Sequence, residues 1–147
     1  MTSVVTGAPR SRQSGYSVVP LSRPHSDQKI REIEEFLQKH FHRDVPTELL
    51  AEHAGMAPRT FIRRFKAATG RVPGIYTRML RMAAAKEMLE HGATSIQDVC
   101  TKSGYEDLAF FRTLFKRHTG MTPAEYRRRF AQMSLARGEL SDGRSAA

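Results

Sequence analysis

Four cationic side chains, Arg59, Arg63, Arg64 and Lys66, fall within eight residues of one another and alternate with Phe61 and Phe65. On a helix of about 100° per residue the two phenylalanines and Ala68 share one face. Arg59, Arg63 and Lys66 lie opposite, with Thr60 and Arg64 on the flanks. Such a helix buries an aromatic stripe and presents long hydrogen-bond donors. A guanidinium can bond O6 and N7 of guanine through two parallel donors, and other cations can bond phosphate. The residues assigned to base contacts are Arg59, Thr60 and Arg63, and those assigned to phosphate are Arg64 and Lys66. An ordinary solvated face is the bland reading of the same charges.

Nothing in the chain suggests bond-making chemistry. Cys100 is the only cysteine, so there is no internal disulfide framework and no multi-cysteine zinc site. His40 and His42 stand two residues apart, which does not put both on one helical face. No glycine-rich phosphate loop and no nucleophile elbow is present. No catalytic residue, metal site or cofactor is expected. The net charge of +9 and isoelectric point near 10.3 favour a polyanion, whether nucleic acid, anionic lipid or acidic protein. Readers of single-stranded RNA usually present aromatics on a sheet, whereas these aromatics repeat at i and i+4 and face inward. No apolar run approaches the ~18 residues of a membrane span, and the N-terminus lacks the apolar core of a signal peptide. The expected setting is therefore cytoplasmic, with no membrane partner.

The stripe recurs. Phe61, Phe65, Lys66, Thr69, Gly70, Pro73 and Tyr76 reappear fifty residues later as Phe111, Phe115, Lys116, Thr119, Gly120, Pro123 and Tyr126. Upstream the offset is forty-nine, with Leu50, Ala51 and Gly55 matching Val99, Cys100 and Gly104. Charge follows the duplication. No acid occurs from His53 to Lys86, and Glu125 is the one acid between Leu108 and Arg137, while the stretches before each basic run are acid-rich. In the second copy Phe111, Phe115 and His118 are expected on the inner face. Ala109, Phe110 and Thr113 are assigned to base contacts through thymine methyls, with inward packing an equal alternative for Phe110. Arg112, Lys116 and Arg117 are assigned to phosphate, so this copy should add affinity more than sequence choice.

Each copy reads as a short helix (about 46–54, then 95–103), a turn at Gly55 or Gly104, and a second helix (about 58–69, then 108–119). This is a helix-turn-helix. Gly70 and Gly120 should stop the second helices, and Pro73 and Pro123 suit the first turn of the next. A helix capped by Asp27 should precede the first copy, burying Ile30, Ile33, Leu37 and Phe41. Residues 73–91, rich in Ala and Met, form a linker helix of ~28 Å, close to the ~34 Å repeat of a major-groove face. The fold class is all-α, with two helix-turn-helix subdomains joined by a long linker helix, about seven helices in all. Residues 1–26 read as a flexible linker, 27–132 as the double helix-turn-helix domain, and 133–147 as a flexible tail. Both second helices should face one side, about one duplex turn apart.

These residues resemble the AraC/XylS family of bacterial transcription regulators, over roughly residues 27–132. The strongest stretch is Gly104-Tyr105 with Phe111, Arg112, Phe115, Lys116, Gly120, Pro123 and Tyr126; Arg81, Ala84 and Leu89 match the family's linker helix. The resemblance implies a seven-helix domain that inserts two recognition helices into successive major-groove segments of promoter or operator DNA. It also implies RNA polymerase as a partner, nucleoid association, and a sensory domain in full-length relatives. Met56 to Phe61, and Gly104 to Asp107 with Phe110 to Arg112, look like the subgroup with an amidotransferase-like sensor. The chain has no spare ~100–200 residues for such a domain, so it reads as a fragment or an unusually short member, and DNA binding without an effector is expected. Thr47, Pro46 and Cys100 depart from the family pattern, which has Ile or Val, a Ser-like cap and Ala there. Some DNA-repair alkyltransferases carry a similar domain, but their chemistry needs reactive cysteines and a multi-cysteine metal site.

Overall fold

The computed structural model describes residues 25–92 and 95–137, and among them seven helices and no strand. They are α1 Gln28–His40, α2 Thr47–His53, α3 Pro58–Thr69, α4 Pro73–Glu90, α5 Ile96–Lys102, α6 Leu108–Thr119 and α7 Pro123–Arg137. Each follows from local chemistry. Asp27 caps α1 by accepting from the Ile30 N–H at 3.3 Å. Ser95 caps α5 by accepting from Asp98 N–H at 3.0 Å, whereas Pro46 gives α2 no side-chain cap. That is the consequence of the departure noted at Pro46. Thr122 and Glu125 cap α7 reciprocally, Glu125 accepting from Thr122 N–H at 2.9 Å and Thr122 accepting from Glu125 N–H at 3.2 Å. The capped α7 runs to Arg137, five residues beyond the boundary expected near Gln132. Its last residues, Met133 to Arg137, are fair helix formers, and none after Pro123 at its start breaks a helix. The expected linker at 1–26 falls outside the described residues as far as residue 24, and the expected tail falls outside them from residue 138.

The chain divides into two units at Ala84–Ala85, within α4. In the first, Ile30, Ile33 and Leu37 of α1, Leu50, Ala51 and Ala54, Phe61 and Phe65, and Tyr76 and Leu80 form one buried cluster. Phe41, expected in the α1 stripe, is partly buried against it. The Phe65 and Tyr76 rings meet edge to face at 5.2 Å and 86°. The Tyr76 hydroxyl donates to Glu34 Oε1 at 2.8 Å, which gives a buried carboxylate a partner. Arg81, only 9 % exposed, closes the α1–α2 loop by donating to the carbonyls of Phe41 (2.6 Å) and Arg43 (3.2 Å) and to Asp44 Oδ1 (3.0 Å).

The second unit repeats this chemistry. Phe115 meets Tyr126 at 5.3 Å and 86°, and the Tyr126 hydroxyl donates to Glu90 Oε2 at 2.5 Å. Burial, then the adjacent carboxylate, pushes both phenols well above their ordinary pKa, so both stay donors. Val99, Cys100, Phe111 and Phe115 are fully buried. Cys100 is thus the small core residue expected, its thiol raised by burial and by Asp107. The turns also repeat. Thr69 Oγ1 accepts from Arg71 N–H at 3.2 Å and lies 2.8 Å from the Phe65 carbonyl; Thr119 Oγ1 accepts from Met121 N–H at 3.1 Å and lies 2.9 Å from the Phe115 carbonyl.

Between each Thr and Pro the chain reverses through a glycine, Gly70 and Gly120, both at φ 85°. A Cβ built at either meets nothing within 4 Å, so strain, not collision, opposes substitution. Gly70→Ala and Gly120→Ala should each cost about 1–2 kcal/mol, the usual penalty of a left-handed non-glycine residue. Urea denaturation checks this, and an unchanged midpoint for both would contradict it.

Candidate nucleic-acid interface

The α3 helix carries its buried face at Phe61, Phe65 and Thr69. Arg59, Arg63 and Lys66 are exposed on the other side, and Thr60 is half-buried at its margin. Among the described residues these three cations have no side-chain hydrogen bond or ion pair, so their donors point to solvent unmatched. Ile62, 38 % exposed, adds an apolar surface beside them that a pattern of hydrogen-bond donors does not reveal.

Arg64 differs. Its Nε donates to Asp27 Oδ2 at 3.1 Å and an Nη to Asp27 Oδ1 at 2.8 Å, a two-pronged pair across 37 residues of sequence. The residue fifty positions later is Leu114, which is buried. Arg64 therefore occupies a register position that is core-facing in the second unit, and an ion pair with the cap of α1 substitutes for apolar packing there. Sequence spacing carries no trace of this pair.

In the second unit Phe111, Leu114 and Phe115 form the inner face of α6. His118, expected inward, is exposed instead. A helical wheel gives direction but not depth, and His118 sits in the last turn, where the stripe runs past its cover. Desolvation, then the charge of Lys86, lowers its pKa. Ala109, Arg112, Thr113, Lys116 and Arg117 are all exposed. The exposed Thr113 donates its hydroxyl back to the Ala109 carbonyl at 3.1 Å. Phe110 is half-exposed and lies 6.2 Å from the Tyr105 ring, so it neither enters the core nor stands free. The two helix starts also differ. Asp107 caps α6 and accepts from Phe110 N–H at 3.1 Å, whereas Ala57 offers α3 no side-chain cap. An anion meets a carboxylate at α6 but open backbone donors at α3.

Two basic helices on duplicated aromatic cores, each preceded by a short helix and a glycine turn, define a double helix-turn-helix domain. A family model described as a helix-turn-helix domain matches residues 50–129. The protein named HTH-type transcriptional activator RhaS, from Salmonella schwarzengrund (strain CVM19633), is 31% identical over 103 residues, covering 70% of this chain and 37% of its own length. The chain thus spans little more than a third of the curated relatives it matches. Among solved structures, the DNA-binding domain of AdpA, a global transcriptional factor in complex with a target DNA, superposes with a TM-score of 0.67 at 31% identity, over 76% of this chain and 97% of that one. The C-terminal domain of AraT, a response regulator from Geobacillus stearothermophilus, also reaches 0.67, at 28% identity over 71% and 88% of the two chains. The chain belongs to the AraC/XylS family of transcriptional regulators, in its DNA-binding domain. No helix among the described residues is long and apolar enough to cross a membrane.

Arg64 holds the Asp27 carboxyl below its ordinary value. A carboxylate so depressed stabilises the fold above its unfolded pKa of about 3.9, and that contribution is lost as pH falls through the lower folded value. Urea midpoints of the wild type should therefore fall more steeply below about pH 5 than those of Asp27→Asn. Parallel profiles for the two proteins would show that the pair does not stabilise the fold.

Proposed function

We propose that this chain reads duplex promoter or operator DNA, with α3 and α6 as recognition helices in successive major-groove segments, and so regulates transcription. The observation that carries this reading is the duplicated twelve-residue helix whose inner face is aromatic and whose outer face is cationic. The likeness to the AdpA domain solved with its target DNA supports it. Arg59, Thr60 and Arg63 contact bases from α3, and Ala109, Phe110 and Thr113 do so from α6. Lys66, Arg112, Lys116 and Arg117 contact phosphate. Arg64, already paired to Asp27, reaches phosphate only with the donors that pair leaves over. The protein acts by binding rather than catalysis. RNA polymerase is the partner through which a bound regulator acts on transcription, and nucleoid association follows from duplex binding. The regions beyond this domain in relatives of RhaS length leave room for a sensory domain.

Hydroxyl-radical footprinting should show two protected segments about one duplex turn apart; one continuous or single segment contradicts insertion of both helices. Truncating Arg59 or Arg63 should cost about 1–3 kcal/mol on a selected duplex and relax choice at one base pair. Lys116→Ala and Arg117→Ala should weaken all duplexes alike and lower the salt slope by about one unit. Equal losses for Arg63→Ala on selected and scrambled duplexes would remove its base-reading role. Loss of discrimination in Arg117→Ala would reverse the roles of the two helices.

A further inference from the structure

The two recognition helices are fastened in different ways. In the second unit Leu114 locks α6 by burial. In the first, the equivalent Arg64 is tied to Asp27, the residue on which α1 begins. The tie belongs to a continuous polar chain. The Asp27 N–H donates to His25 Nδ1 at 3.2 Å, which leaves the His25 proton on Nε2, and that nitrogen lies 2.6 Å from Glu34 Oε2. Glu34 Oε1 accepts from the Tyr76 hydroxyl at 2.8 Å. Arg31 donates to the His25 carbonyl at 2.6 Å, which closes the turn before α1. The His25 and Glu34 side chains are 12 % and 11 % exposed, so that end of the chain is shielded from water, whereas Asp27 and Arg64 are 20 % and 41 % exposed.

We propose that Asp27 is a positioning residue for DNA reading: by gripping Arg64 with two hydrogen bonds, it sets the orientation of α3 on its core and hence the aim of Arg59 and Arg63. A buried leucine is held by packing that is not directional. A planar guanidinium bound at two points to a carboxylate is held in direction as well as in place. Asp27 is itself fixed by its cap bond to Ile30 and its N–H bond to His25, so the grip is made against a rigid base. Arg63, the neighbour of Arg64 on the helix, extends outward, and a rotation of α3 by one residue's angular share would swing its donors off a base edge. The effect therefore falls on discrimination between sequences. The inference rests on the DNA-reading function above.

The test uses the full chain with duplexes selected from a random pool on the wild type, and scrambled duplexes of the same composition. Asp27→Asn keeps the cap acceptor but loses the charge. At a temperature where circular dichroism shows every variant folded, it should bind the selected duplex about tenfold more weakly and the scrambled one nearly as before. Arg64→Gln should lose the same discrimination, on top of a uniform loss on both duplexes from the phosphate donors it removes, and the double variant should discriminate no worse than either single one. Asp27→Glu, which retains the two-point carboxylate, should recover part of the discrimination. If Asp27→Asn binds both duplexes more tightly and to the same extent, Asp27 merely neutralises a phosphate-binding Arg64 and the proposal is overturned. Unchanged discrimination in folded Asp27→Asn overturns it as well. If the wild type itself fails to separate selected from scrambled duplexes, the DNA-reading function falls with it, an outcome distinct from either of these.

Discussion

Phe65 against Tyr76, and Phe115 against Tyr126, are the contacts on which the remainder of the molecule depends. Each joins the inner face of a recognition helix to the first turn of the helix that follows, at nearly the same distance and the same right angle. Edge-to-face geometry suits the ring quadrupoles and adds about 0.5–1.5 kcal/mol to the burial of two large apolar surfaces. Each tyrosine hydroxyl then reaches a carboxylate on an earlier helix, Glu34 on α1 or Glu90 on α4. One side chain therefore links three elements: the helix that carries it, the recognition helix it packs on, and the helix bearing the carboxylate. Between Phe and Tyr the chain must reverse within a few residues. The left-handed glycine and the threonine hydroxyl that accepts a backbone N–H make that reversal possible in both copies.

With the inner faces held alike, the outer faces are free to differ. The α3 helix sets three unmatched cations beside an uncapped first turn, and α6 sets a phenylalanine, an alanine and a threonine beside a turn closed by Asp107. Guanidinium groups are suited to guanine edges and to phosphate, and methyl-bearing surfaces are suited to thymine. Duplication followed by divergence on one side of each helix is enough to give a single chain two chemically different outer surfaces on one aromatic scaffold.

Much of this was legible in the residues. The exact fifty-residue offset of seven identities located both aromatic stripes, and Gly70, Gly120, Pro73 and Pro123 located the ends of α3, α6, α4 and α7 to within a residue, because glycine and proline act through the backbone alone. Exposure of Arg59, Arg63, Lys66, Lys116 and Arg117 followed from the same periodicity. Burial depth was less accessible. His118 shares the azimuth of Phe111 but lies beyond the cover, and Leu114 took the place assigned to it. The Asp27–Arg64 pair and the Arg81 clamp were not legible at all. Both join residues 37 or more positions apart, through side chains that look in the sequence like two more members of a basic stripe.

Those two arginines change how the positive charge should be understood. A surface that concentrates cations works against its own folding, because like charges on one helix repel. Both units answer with aromatic packing and a positive-φ glycine, and the second adds a buried leucine where the first has Arg64. The first unit turns two of its arginines inward as structural ties, Arg64 to Asp27 and Arg81 to the α1–α2 loop. Low pH therefore reaches α3 through the Arg64–Asp27 pair and α6 through the Asp107 cap, and salt acts on the first as an ion pair. In the proposed function, the helix assigned more base-reading donors is thus the one that adds an ion pair to its aromatic packing, so one of the forces that seats it and the forces with which it would bind an anionic duplex respond to the same solution conditions.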